Sequence, residues 1–194
     1  MKVDPATGLL DAARQCPSPN RDARPDPEDI TGVIVHGISL PPGAFGGDAI
    51  DRLFTNCLDI DAHPYFAGLA GTHVSAHLLV RRDGEVVQYV PFHERAWHAG
   101  ESCWGGRAAC NDFTIGIELE GTDDQAYTDP QYERLAEIVA ALASAYPRLE
   151  PASIAGHSDV SPGRKTDPGP AFDWARLGMR LGIGTDGFLG ESKR

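Results

Sequence analysis

The sequence predicts a single α/β or α+β domain, a mixed central β-sheet flanked by helices, and three features of its 194 residues point there. Gly32-Val-Ile-Val-His36 is a short β-branched apolar run of the kind that makes a buried strand. Ser75–Val90 reads as a hairpin, with AHLLVRR and EVVQYV as its arms. Leu135, Ile138, Val139 and Leu142 recur at helical spacing and give one helix an apolar face. The 22 glycines and 15 prolines add turns and long loops, which argues against a helical bundle.

Taken in order, residues 1–30 are polar and rich in Pro, Asp and Arg, and are expected to run as an extended leader wrapped over the domain without forming an element. The first strand ends at His36 and delivers it into the Gly/Pro-rich loop ISLPPGAFGG. In the hairpin, Asp83-Gly84 is a strong signal for a type I′ turn. Thr114–Leu119 alternates: Ile115, Ile117 and Leu119 lie on one face, Gly116, Glu118 and Glu120 on the other. That pattern predicts a half-buried strand with carboxylates on its polar side. A helix is expected from about Pro130, capped by Thr128 or Asp129. Ser153–His157 is expected as a last short strand and Ala171–Leu181 as a last helix. The domain is expected over residues 31–182, with 183–194 as a polar tail, and no internal repeats are present.

A formal net charge of −11 argues against nonspecific nucleic-acid binding and against docking on an anionic membrane. No apolar run approaches the length of a bilayer span, and the start of the chain lacks the apolar core of a signal peptide. A cytoplasmic location is therefore expected. Cys16, Cys57, Cys103 and Cys110 form no CxxC pair and are read as free thiols, although Cys103 and Cys110 are close enough in sequence to invite a disulfide.

The chemistry concentrates at strand ends. His36 ends one predicted strand; His157 ends another and opens GHSDVSPGRKTDPGP, a segment stiffened by proline. Two imidazoles and the Asp167 carboxylate suffice to hold a catalytic zinc with a fourth position left for water. The plainer alternative makes His157 a core histidine and Asp167 a helix cap. Glu118 is a costly residue in a strand of Ile and Leu unless it is solvated or used as a general base. Glu120 is its rival on the same face, where an exposed structural role is expected. Lys165 could stabilise an oxyanion, or pair with Asp167 or Asp159. Trp97 and His98 suit contact with a sugar or peptide, or form a buried structural pair.

The stretches VHGISLPPGAFGG, VSAHLLVRRDGEVVQYVPF, RAWHAG, CNDFTIGIELEGTD and GHSDVSPGRKTDPGPAFDWARL together cover roughly residues 16 to 178. In this order they resemble the N-acetylmuramoyl-L-alanine amidase family, which includes peptidoglycan recognition proteins and phage amidase lysozymes. Within it they are most similar to the branch acting on 1,6-anhydromuropeptides in cytoplasmic cell-wall recycling. The resemblance implies His36, His157 and Asp167 as zinc ligands, Glu118 as the base for the attacking water, and Lys165 as transition-state stabiliser. The aspartate as third ligand is what assigns the branch, since recognition proteins and phage enzymes usually carry cysteine there. Muropeptides are then the expected partner, with Arg107 or Arg164 reading a stem-peptide carboxylate, and the chain is expected to act as a monomer. A general murein amidase and a noncatalytic muropeptide-binding module are the alternatives. In a host with the matching regulator, the resemblance also implies an influence on inducible β-lactamase. Two positions depart from the branch: Gly37 stands where asparagine is common, and His73 where arginine is common.

Overall fold

The computed structural model describes residues 1–184 and Phe188. Its centre is a six-stranded sheet in the order β12-β5-β11-β6-β7-β3. These are β3 (Arg14–Gln15), β5 (Gly32–Ile38), β6 (Leu78–Val80), β7 (Val86–Gln88), β11 (Thr114–Glu120) and β12 (Ile154–Gly156). The strands β12, β5, β11 and β6 run parallel, β7 is antiparallel to β6, and β3 is parallel to β7, so the sheet is mixed as expected.

Alternation along β5 and β11 divides the molecule. Val33, Val35, Ile115, Ile117 and Leu119 face one layer, where they pack with Leu135, Ile138, Val139 and Leu142 of α2 (Asp129–Ala145) and Leu177 of α4 (Trp174–Leu181). Ile34 faces the other side and joins Ala155, Phe113 and Val160. Further along that side, Leu79 and Val87 pack under Ile50, Leu53 and Phe54 of α1 (Ala49–Phe54). The register sets Glu118 directly beside His36 on neighbouring parallel strands.

Four expectations are corrected. First, residues 1–30 do form elements: β1 (Val3–Asp4) pairs with β2 (Leu9–Leu10), β3 closes the edge of the main sheet, and β4 (Arg21–Ala23) pairs with β8 (Glu94–Ala96). Leu10 and Ile30 belong to the core, which is what ties the segment down. Second, β11 is buried along all seven residues rather than half-buried, because it is a central strand covered on both faces. Third, Glu120 is buried, not exposed; it accepts hydrogen bonds from Gly46 N at 2.6 Å and Arg82 N at 3.2 Å and pairs with Arg81. Fourth, the hairpin loop is Arg82-Asp83-Gly84, closed by Arg81 N to Glu85 O at 2.9 Å, and Gly84 alone among these three has positive φ. That is a type I turn with a glycine bulge, not a type I′ turn.

The helix α2 starts where expected. Thr128 accepts from Gln131 N, and the Gln131 side chain accepts from Thr128 N, so the two close a capping box ahead of Pro130. All four cysteines are free. The expected polar tail falls largely on residues 185–187 and 189–194, outside the described residues, while Ile183 and Phe188 pack on the core.

Candidate metal and catalytic site

Three chain segments meet at the open end of the parallel strands. β5 supplies His36, the β12–α3 junction supplies His157 as the first residue of α3 (His157–Val160), and the following loop supplies Asp167. The loop is held by Ser158 N donating to Asp167 O at 2.9 Å and by Tyr127 Oη donating to Pro168 O at 2.9 Å. The Nδ1 atoms of His36 and His157 lie 2.9 Å apart, and Asp167 Oδ2 is 3.2 Å from the first and 3.1 Å from the second.

The tautomers show what this cluster suits. His157 Nε2 faces the carbonyl of Ala99 at 3.1 Å, nearer than the Arg164 Nη2 donor at 3.4 Å, and a carbonyl can only accept, so Nε2 carries the proton and Nδ1 presents a lone pair. His36 Nε2 lies 3.0 Å from His98 Nδ1, which can accept its proton in the same way. Two lone pairs and a carboxylate oxygen then converge on one point, and only a cation satisfies all three. Two imidazoles with one carboxylate and room for a water are a donor set that zinc takes. Burial alone would raise the Asp167 carboxyl, but the two neighbouring imidazoles, His157 and His36, hold it well below the ordinary carboxylate range. Burial, against the opposing pull of Asp167, lowers His36 to about 4 and keeps it neutral and ligand-ready near pH 7.

Glu118 stands beside His36, its Oε2 buried and without a hydrogen-bond partner among the described residues. Burial first, and then the negative charge of Asp167, pushes its carboxyl well above the ordinary value, while Lys165 acts in the opposite sense. His36, Glu118, Lys165, His157 and Asp167 all line one cleft of about 290 Å³, whose apolar wall includes Leu53, Phe54 and Trp97. Trp97 buries its Nε1 without a partner among the described residues.

Arg107 and Arg164 are not brought to this cleft. Arg107, on β10 (Arg107–Ala108), is ion-paired with Asp29 and stacks on the Phe113 ring at 3.8 Å. Arg164 Nη2 donates to Ala99 O, Glu101 O and Ser161 Oγ at 2.6–2.8 Å, so it clips one loop to the next. Neither is placed to read a substrate carboxylate within this cleft, and each is engaged with partners inside the protein. His98 lines the cleft but is engaged with His36 rather than free for a ligand. Gly37 lines the cleft too, and a Cβ there would run into Tyr127 Oη, whereas His73 is exposed and outside it. Asn111, which accepts from the backbone N of both His98 and Ala99, and Tyr127 were not foreseen. Both lie in the quoted stretches or beside them, but nothing in their spacing marks a role.

Residues 26–170 match the sequence profile of the family described as N-acetylmuramoyl-L-alanine amidase. The chain is 61% identical over 170 residues to the 1,6-anhydro-N-acetylmuramyl-L-alanine amidase AmpD of Escherichia coli (strain K12), covering 88% of this chain and 92% of that protein. A crystal structure of a selenomethionine AmpD derivative superposes with a TM-score of 0.89 at 57% identity, covering 93% of this chain and 99% of that one. AmiD of E. coli, solved with the substrate anhydro-N-acetylmuramic acid-L-Ala-D-gamma-Glu-L-Lys, matches at TM-score 0.58 and 29% identity over 91% of this chain and 61% of that one.

Proposed function

The chain belongs to the N-acetylmuramoyl-L-alanine amidase family and is an amidase, and from that premise we propose that it hydrolyses the amide between 1,6-anhydro-N-acetylmuramic acid and L-alanine of muropeptides in cell-wall recycling. The proposal includes zinc as the metal, a cytoplasmic location and a monomeric state. One observation carries the chemistry. A buried carboxylate oxygen of Glu118, without a partner among the described residues, shares a rung with His36 of a converging set of two imidazole nitrogens and a carboxylate.

His36, His157 and Asp167 would hold the cation. When bound, it supplies a Lewis acid that acidifies a water and polarises the amide carbonyl. The rest follows from side chains of this chain. Glu118 Oε2 has no competing partner among the described residues, so it can take the proton of the attacking water and return it to the departing alanine nitrogen. The Lys165 ammonium lines the same cleft and stabilises charge that develops on the carbonyl oxygen. The apolar wall at Leu53, Phe54 and Trp97 excludes water from the flank of the bound fragment.

Purified protein incubated with anhydromuramyl-tripeptide, and separately with intact sacculi, tests this by mass spectrometry of the products. Free tripeptide from the anhydro substrate, abolished by a chelator and restored by zinc, is the expected result. Glu118→Gln should lower turnover by about 10²–10⁴-fold. Cleavage of sacculi at a comparable rate would reassign the chain to a general murein amidase, and binding without cleavage would remove the catalytic reading.

A further inference from the structure

Two consecutive residues after β8 meet the two histidines of the site. His98 Nδ1 lies 3.0 Å from His36 Nε2, and Ala99 O lies 3.1 Å from His157 Nε2. Both contacts are on the far side of the imidazole from the atoms that converge with Asp167. The dipeptide is itself held from behind. The Asn111 Oδ1 atom accepts from His98 N at 3.1 Å and from Ala99 N at 2.8 Å, so one carboxamide fixes both peptide units. Arg164 Nη2 adds a third hold on the dipeptide, donating to Ala99 O at 2.6 Å.

The sheet leaves space for this arrangement. The His98 ring lies over Gly116 of β11, where a Cβ would overlap the ring carbons and Nδ1. Its own Nε2 is buried without a partner among the described residues, so the ring makes its one side-chain hydrogen bond to His36. A ring held in this way serves His36 and not itself.

We propose that His98 and Ala99, clamped by Asn111, are positioning residues that set the tautomer and orientation of both histidine ligands at once. The inference rests on the reading of His36, His157 and Asp167 as cation ligands. With a proton held on each Nε2, both Nδ1 atoms keep their lone pairs for the cation, and both rings lose the freedom to flip. The clamp joins the two ligands mechanically: releasing Asn111 loosens His36 and His157 together, although they lie 121 positions apart in the chain.

Zinc affinity, measured by competition with a chromophoric chelator, and the visible spectrum of the cobalt(II)-substituted protein test the proposal apart from activity. Asn111→Ala and His98→Ala are expected to weaken zinc binding by about 10–100-fold, the range typical of lost outer partners of metal ligands, and to change the cobalt ligand-field bands. His98→Asn can place its Oδ1 near the lost Nδ1, and Asn111→Asp keeps an acceptor for both N–H groups; both should stay close to the parent. If His98→Asn falls as far as His98→Ala while melting at the parent temperature, the acceptor role is wrong. His36→Ala separates the two levels. Unchanged zinc affinity in His36→Ala overturns the ligand reading itself, whereas loss there with parent-like affinity in Asn111→Ala and His98→Ala overturns the clamp alone.

Discussion

Glu118 is a single residue whose environment can be read as a pH dependence. Burial and Asp167 raise its carboxyl and Lys165 lowers it. In the proposed role of base Glu118 must be deprotonated to act, so activity should fall as pH drops through its pKa, and anything that raises that pKa should move the acid limb upward. Lys165→Gln removes the opposing positive charge. Its kcat/KM profile should therefore show an acid limb displaced to higher pH than the parent's, on top of a lower plateau; a limb displaced to lower pH would contradict the arrangement. At this scale the sequence exposed the residue types well. His36, His157, Asp167, Glu118 and Lys165 were all legible and the structure brings them to one cleft. The work of His98 was not, because which nitrogen faces which acceptor depends on residues 62 positions apart. The internal partners of Arg107 and Arg164 were hidden for the matching reason: Asp29 and Ala99 are remote from them in sequence.

Among the elements, α2 carries most of the apolar contact on the back face of the sheet, with α4 beside it, and its start is defined by one side chain. Thr128 Oγ1 caps the helix and also donates to Arg82 O at 2.7 Å, which ties the helix start to the hairpin loop. Thr128→Ala should cost about 1–2 kcal/mol, the upper part of the range for N-cap loss, because the loop contact goes with the cap. Chemical denaturation checks it, and a loss of only a few tenths of a kcal/mol would mean that the loop contact contributes nothing. Helical spacing made the apolar face of α2 legible, and the sequence narrowed its cap to Thr128 or Asp129, of which the structure has Thr128. The strand β11 was legible in position but not in burial, since alternation of Gly and Glu with Ile and Leu reads as a solvated face whenever the polar side is in fact a buried site. The strands of residues 1–30 escaped because pieces of two or three residues have no period to detect.

Across the molecule, buried imidazole makes the fold sensitive to acid. His77 is fully enclosed and accepts from Gly116 N at 3.0 Å through Nδ1. Burial, and then the nearby Arg24 guanidinium, keeps it neutral well below its ordinary range. In the unfolded chain it takes up a proton near pH 6.5. The unfolded state therefore binds the extra proton first, and the stability present above that pH is lost as pH falls, at up to about 1.4 kcal/mol per pH unit. Urea denaturation of the chelated protein at pH 7, 6 and 5, compared with His77→Asn, which keeps an acceptor for Gly116, should show this slope as the difference between the two, one proton's worth. The fold class and the face carrying the site were legible from the chain because both follow from the apolar pattern of two long strands. The register between them was not, and it has a consequence of its own. Glu118 and His36 occupy one rung of a parallel ladder, so their separation is the spacing between strands, a constant of β-structure of about 4.8 Å. Neither strand can slide by one residue without turning its apolar set away from α2. The reaction geometry is thus inherited from the sheet, while the wall that meets the substrate is drawn from loops and α1, so selection can alter what is cut without retuning how.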